Sequence, residues 1–215
     1  MRQIEKREST AVFTPNRLEA LTDGVFAIVM TLLVLDISIP VIEESVLQSE
    51  LPHRLLELLP KLYSYALSFI ALGLIWIGHR FAFHFIKRCD IRLIWFNIIF
   101  LMFVALIPFS TSLMADYLME QLPLVIILIN LMLVLIMRFI IWTYATMNYR
   151  LVDRDIDPQF VKMEKLTTIA FASVALIGIC VTFVSTAAVW YAMWVLLAFA
   201  FITGGGQPKP DKSGQ

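Results

Sequence analysis

Neither sign of charge is in excess in this sequence: 17 Lys and Arg stand against 17 Asp and Glu. A nucleic-acid surface needs a clustered basic excess, so no nucleic-acid partner is expected. Cysteine is nearly absent. Cys89 and Cys180 lie in different segments and form no CxxC pair. They read as small apolar residues rather than as a disulfide framework. The three histidines, His53, His79 and His84, lack metal-ligand spacing. No phosphate-binding glycine loop, nucleophile elbow or H-E-x-x-H pattern occurs. No cofactor and no resident metal are therefore expected, and the chain is not read as an enzyme.

What the sequence has in abundance is apolar side chains. They make up 60% of the 215 residues, and the mean hydropathy is +0.81. Soluble domains hold roughly 45–50% apolar residues even with glycine counted. A chain of this length folded in water would expose large apolar patches. Lipid is the expected solvent.

A membrane helix takes about 20 mostly apolar residues. Six stretches qualify: residues 17–39, 58–86, 91–113, 122–144, 166–184 and 187–203. The fold class expected is all-α, a polytopic six-span bundle. The last two spans abut near Ser185 and Thr186, where a short turn must sit. Residues 41–57 are too polar to span and suit a short interfacial helix. Residues 153–157 read as a solvated loop, and Pro108 kinks or ends its helix turn locally. The six spans form one domain over residues 1–203, with a polar arm at 1–16. That arm and the length of the first apolar run argue for a retained span rather than a cleaved leader. Residues 204–215, beginning Gly204-Gly205-Gly206-Gln207-Pro208, are flexible in composition and resemble an appended linker.

Six spans place all but Arg54 and Lys61 of the 17 basic residues on one side. The positive-inside bias makes that side cytoplasmic and puts both termini there. The opposite loops are acidic, with Glu43, Glu44, Glu50, Asp116 and Glu120.

The first span is unusual because Arg17, Glu19 and Asp23 open it. A charge at a span centre costs about 2.5–3.5 kcal/mol on insertion scales. Asp23 therefore calls for a partner or a wet cavity, unless it lies at the interface. At about 100° per residue, Arg17 and Asp23 are roughly 240° apart around the helix, so a partner on another helix is favoured. Ile28, Leu32 and Leu35 follow i, i+4, i+7 spacing, with Thr31 beside them. Around a symmetry axis such a stripe gives aliphatic rings that can gate by dewetting. Ordinary helix packing produces the same pattern. Asp23 lies about 140° from Ile28, on another face. Asp36, at the far end of the span, is either part of a carboxylate ring or a solvated charge.

Arg17-x-x-x-Leu21-Thr22-Asp23 resembles the R-x-x-x-F-S-D signature of prokaryotic members of the transmembrane protein 175 family of potassium channels. Leu21 departs from the aromatic and Thr22 keeps the hydroxyl. Trp76-Ile77-Gly78-His79 in the second span is similar to the family's W-x-x-H pattern. Asn97 and Pro108-Phe109-Ser110-Thr111 continue the likeness in the third. The resemblance implies a homotetramer with the first span lining a potassium pore. It implies a constriction at Ile28 and a path lined by Thr31, Leu32 and Leu35, with Asp36 at the outer mouth. It further implies a structural polar network of Arg17, Thr22, Asp23, Trp76, His79 and Asn97. No T-V-G-Y-G filter and no arginine-repeat voltage sensor occur. The function expected is a potassium-preferring channel of the plasma membrane, with potassium ions, the bilayer and its own copies as partners. The alternative is a proton-coupled or other secondary transporter, although neither inverted repeats nor broken helices are visible.

Overall fold

The computed structural model describes residues 14–38, 47–118 and 120–194. The arm at 1–13, most of the connection at 39–46, the later part of the sixth span and the tail at 204–215 lie outside the described residues.

Helix α1, Pro15–Leu35, starts where Thr14 is extended and Pro15 supplies a pre-set φ at the first helical position. Helix α2, Leu47–Glu57, is short and polar, with Arg54 between Glu50 and Glu57. After Leu58 the chain turns directly into α3, Leu59–Phe85.

The third span is two helices. Helix α4, Ile91–Ala105, is capped by Asp90, whose carboxylate accepts the Leu93 N–H at 2.9 Å. It breaks at Leu106, and α5, Ile107–Asp116, continues with Pro108 near its start. Pro108 has no N–H to continue the ladder, and Ser110 satisfies the Leu106 carbonyl with both its N–H and its Oγ, each at 3.1 Å.

Helix α6 spans Gln121–Thr146 and helix α7 spans Pro158–Thr182. The fifth apolar span is expected over residues 166–184. The helix begins eight residues earlier, where Asp157 accepts the Gln159 N–H at 2.8 Å and Pro158 takes the first helical position. Glu164 is not solvated there. It turns inward to pair with Arg138 of α6, and both side chains are nearly buried. The expected turn after α7 is present at 183–185, and residues 186–194 are helical as far as they are described.

Five of these stretches are long and apolar enough to cross a membrane, among the described residues. The core lies between α1, α3, α4 and α6, around Phe26, Leu72, Phe83, Leu93, Phe100 and Leu124. Helix α7 packs along α6.

The two ends of the bundle are tied differently. At the end that carries the N-terminus of α1, the 86–90 loop meets the 147–157 loop. The Lys87 and Arg88 N–H groups share the Leu151 carbonyl, and Tyr144 Oη donates to Asp90 Oδ2 at 2.6 Å. Ile156 in this loop is buried rather than solvated. At the far end, α5 presents three consecutive hydroxyls to three helices. Asn130 of α6 donates to Ser110, Thr111 donates to Ser68 of α3 at 2.8 Å, and Ser112 donates to Asp36 after α1 at 2.7 Å.

Candidate functional site

Beyond Asp23 helix α1 is apolar apart from Thr31, yet only one stripe of it is covered by its own chain. Leu18, Thr22, Phe26, Val29 and Leu33 are buried at i, i+4, i+8, i+11 and i+15 spacing against α3, α4 and α5. The opposite stripe is open. Ile28 is 61% exposed, Leu32 43% and Leu35 72%, and Thr31 is exposed among them. Thr31 Oγ1 donates to the Ile28 carbonyl at 2.8 Å. Its proton is thereby committed, and the oxygen faces outward as an acceptor.

The covered stripe is held by a chain of polar contacts. Thr22 Oγ1 donates to the Leu18 carbonyl at 2.9 Å, and Asn97 Nδ2 donates to Thr22 Oγ1 at 3.0 Å. Asn97 Oδ1 then faces His79 Nε2 at 2.9 Å. The committed proton of Thr22 fixes which end of the Asn97 amide faces it. Asn97 therefore offers His79 an acceptor, and Nε2 carries the proton. The His79 ring lies between Phe83 and Phe100, at centroid distances of 4.2 and 5.0 Å. All three polar side chains are buried.

The next residue of α1 after Thr22, Asp23, meets α3. Trp76 Nε1 donates to Asp23 Oδ1 at 2.8 Å. Arg80 Nη1 lies 3.3 Å from Asp23 Oδ2 and 3.0 Å from Glu19 Oε2. Trp76, His79 and Arg80 are three and four residues apart on α3, so one face of that helix presents all three. Arg17 does not join. It is exposed and makes no ion pair among the described residues. The cation that meets Asp23 is Arg80, whose place beside His79 on a spanning helix was the available signal.

At the other end of α1, Asp36 is half-buried and turned toward Ser112. It thus stands off the Ile28–Leu35 stripe as an anchoring group. The buried Arg138–Glu164 pair was also missed in the sequence. Gly78 of α3 is what admits it, since a Cβ there would lie 2.7 Å from Arg138 Nη2 and 2.8 Å from Cζ. Among the described residues no three His, Cys, Asp or Glu side chains converge as metal ligands.

Comparison with known proteins adds an independent line. Residues 17–108 match the family model described as endosomal/lysosomal potassium channel TMEM175. The chain is 39% identical over 105 residues to a potassium channel of Streptomyces collinus, covering 49% of this chain and 50% of that protein. It is 30% identical over 212 residues to the endosomal/lysosomal proton channel TMEM175 of Rattus norvegicus, covering 89% of this chain and 42% of that one. The chain spans about half the length of the bacterial relatives it matches. In three dimensions it superposes on the crystal structure of a lysosomal potassium-selective channel TMEM175 homolog from Chamaesiphon minutus. The TM-score is 0.78 at 25% identity, over 89% of this chain and 98% of that one.

Proposed function

This chain belongs to the TMEM175 family, and from that premise we propose that four copies form a potassium-preferring channel whose pore is lined by α1. The observation that carries the reading is the open stripe of α1. Ile28, Thr31, Leu32 and Leu35 are left uncovered by a chain that buries the opposite face of the same helix. Lipid would tolerate such a stripe, but lipid gives no reason to lock the helix by the Asp23–Trp76–Arg80 and Thr22–Asn97–His79 contacts. Anchoring of that kind sets the rotation of a helix whose free face has work to do.

Around a four-fold axis the stripe becomes stacked rings. The Ile28 ring forms the constriction, where an aliphatic neck expels water and an ion cannot shed its hydration shell. Thr31 adds outward-facing oxygens one turn on, and they meet a partly dehydrated cation. Selection without a T-V-G-Y-G filter rests on these side chains. We place the channel in the plasma membrane with both termini cytoplasmic, on the basic bias of the arm and of the 86–92 and 147–165 connections.

Reconstitution of the purified chain in planar bilayers tests the reading. Unitary currents that reverse near the potassium equilibrium potential are expected, and native mass spectrometry should find tetramers. Flux at carrier turnover with no unitary steps would favour a secondary transporter and end the channel reading.

A further inference from the structure

The end of the bundle away from the N-terminus of α1 is acidic, and its described lysine and arginine are Arg54 and Lys61. Arg54 of α2 is committed between Glu50 and Glu57, at 3.6 and 3.1 Å. Lys61, in the first turn of α3, reaches across to α5 instead. Its Nζ lies 2.8 Å from Asp116 Oδ1. Asp116 closes α5 one turn beyond Ser112, and Ser112 Oγ donates to Asp36 Oδ1 at 2.7 Å. Asp36 directly follows Leu35, the last residue of the open stripe of α1. Both carboxylates and the ammonium are thus gathered along one turn of α5, beside the place where that stripe ends.

The Lys61–Asp116 pair is part-exposed, with side chains 26% and 45% open. A pair of that kind adds little to stability, because water screens it and both side chains lose freedom. Its charges act further than its contact. A fixed charge is felt over a Debye length, about 10 Å at 0.1 M salt and about 30 Å at 0.01 M. Lys61 lies within the field of Asp36 as well as that of Asp116. The two carboxylates draw cations toward the end of α1, and the ammonium opposes them. In a four-fold assembly that opposing charge recurs in every chain around one axis.

We propose that Lys61 is a counter-charge that limits the entry of cations at the far end of α1. It acts at a distance, through the potential it shares with Asp36 and Asp116, and contacts no ion on the path. The inference rests on the reading of α1 as the pore-lining helix.

The test records unitary potassium currents from the full chain in planar bilayers. Lys61→Gln should raise the conductance about twofold or more at roughly 0.01 M KCl, for current entering from the far end. Asp116→Asn should lower it. At about 1 M KCl the Debye length is about 3 Å, and both differences should vanish. Both variants break the same ion pair, so a structural effect would move them in one direction, and opposite signs identify charge. Lys61→Gln added to Asp116→Asn removes the ammonium with no pair left to break, and should restore the parent conductance. Lys61→Arg keeps the charge and should match the parent. Tyr117 is 57% exposed beside Asp116. A Tyr117→Cys protein, with Cys89 and Cys180 replaced, therefore reads the local potential without current. The ratio of its reaction rates with cationic and anionic methanethiosulfonates should rise in Lys61→Gln and fall in Asp116→Asn. Changes of the same sign, or differences that persist at about 1 M KCl, would overturn the proposal. A shifted labelling ratio with unchanged unitary conductance would overturn it too, while leaving the pore reading standing. If Lys61→Gln alone does not assemble, the double variant against Asp116→Asn decides.

Discussion

Trp76 and Asp23 meet across α3 and α1 at 2.8 Å, with the indole N–H donating to the carboxylate. The bond joins an anionic acceptor to a donor that cannot rotate away from its ring. Trp76→Phe should keep the packing and lose the donor to a charged acceptor, and so destabilise the assembly by about 1.5–3 kcal/mol. Asp23→Ala should cost more, because it frees both the indole and one side of Arg80. Thermal challenge followed by size-exclusion chromatography reads both effects. An Asp23→Ala protein as stable as the parent but altered in ion preference would place Asp23 on the ion path instead.

Ile28→Asn puts a polar side chain at the proposed neck. The ring should wet, and unitary conductance should rise while discrimination between potassium and sodium falls. Val29→Ala, on the covered stripe of the same helix, should lower stability and leave ion preference alone. Single-channel recording under bi-ionic conditions separates the two. Unchanged conductance and selectivity in a well-assembled Ile28→Asn protein would remove α1 from the pore.

Gly78→Ala is a test of the buried ion pair. The new methyl would press on the Arg138 guanidinium, which is paired with Glu164. A loss of about 1–3 kcal/mol is expected from such overpacking. Arg138→Ala strands Glu164 and should cost about 3–5 kcal/mol, whereas Arg138→Met with Glu164→Leu should cost much less. The cost of Gly78→Ala should shrink in that double background. Additive effects would show that Gly78 does not act through Arg138.

Side-specific labelling tests the orientation. With Cys89 and Cys180 replaced, a single cysteine at Gln48 and one at Asp155 should react from opposite faces of the membrane. Reaction of both from one face would break the six-span topology.

The sequence made the number and kind of helices legible because lipid demands long apolar runs, and these are visible without any partner. It also pointed to Asp23, since a carboxylate in such a run must be explained. The partners were harder to read. Arg80 looked like one of several basic residues at a span end, and only the rotation of α3 shows that it faces α1. Glu164 is polar by type but buried by pairing, and pairing is not a property of one residue. Ser112 gave no signal of its own, because a serine on a spanning helix looks the same whether it bonds to its own backbone or to Asp36.

The three hydroxyls of α5 also have a mechanical consequence. Ser110, Thr111 and Ser112 leave the helix about 100° apart, and each is fastened to a different neighbour. A force that draws the far end of α1 sideways passes through Asp36 into Ser112 and is divided inside α5 between α3 and α6. The tie from Asp36 to α3 and α6 runs through the ten residues of α5, which join α4 at the bend at Leu106. Cutting that tie within one short helix would release the far end of α1 from two neighbours without touching any residue of the open stripe.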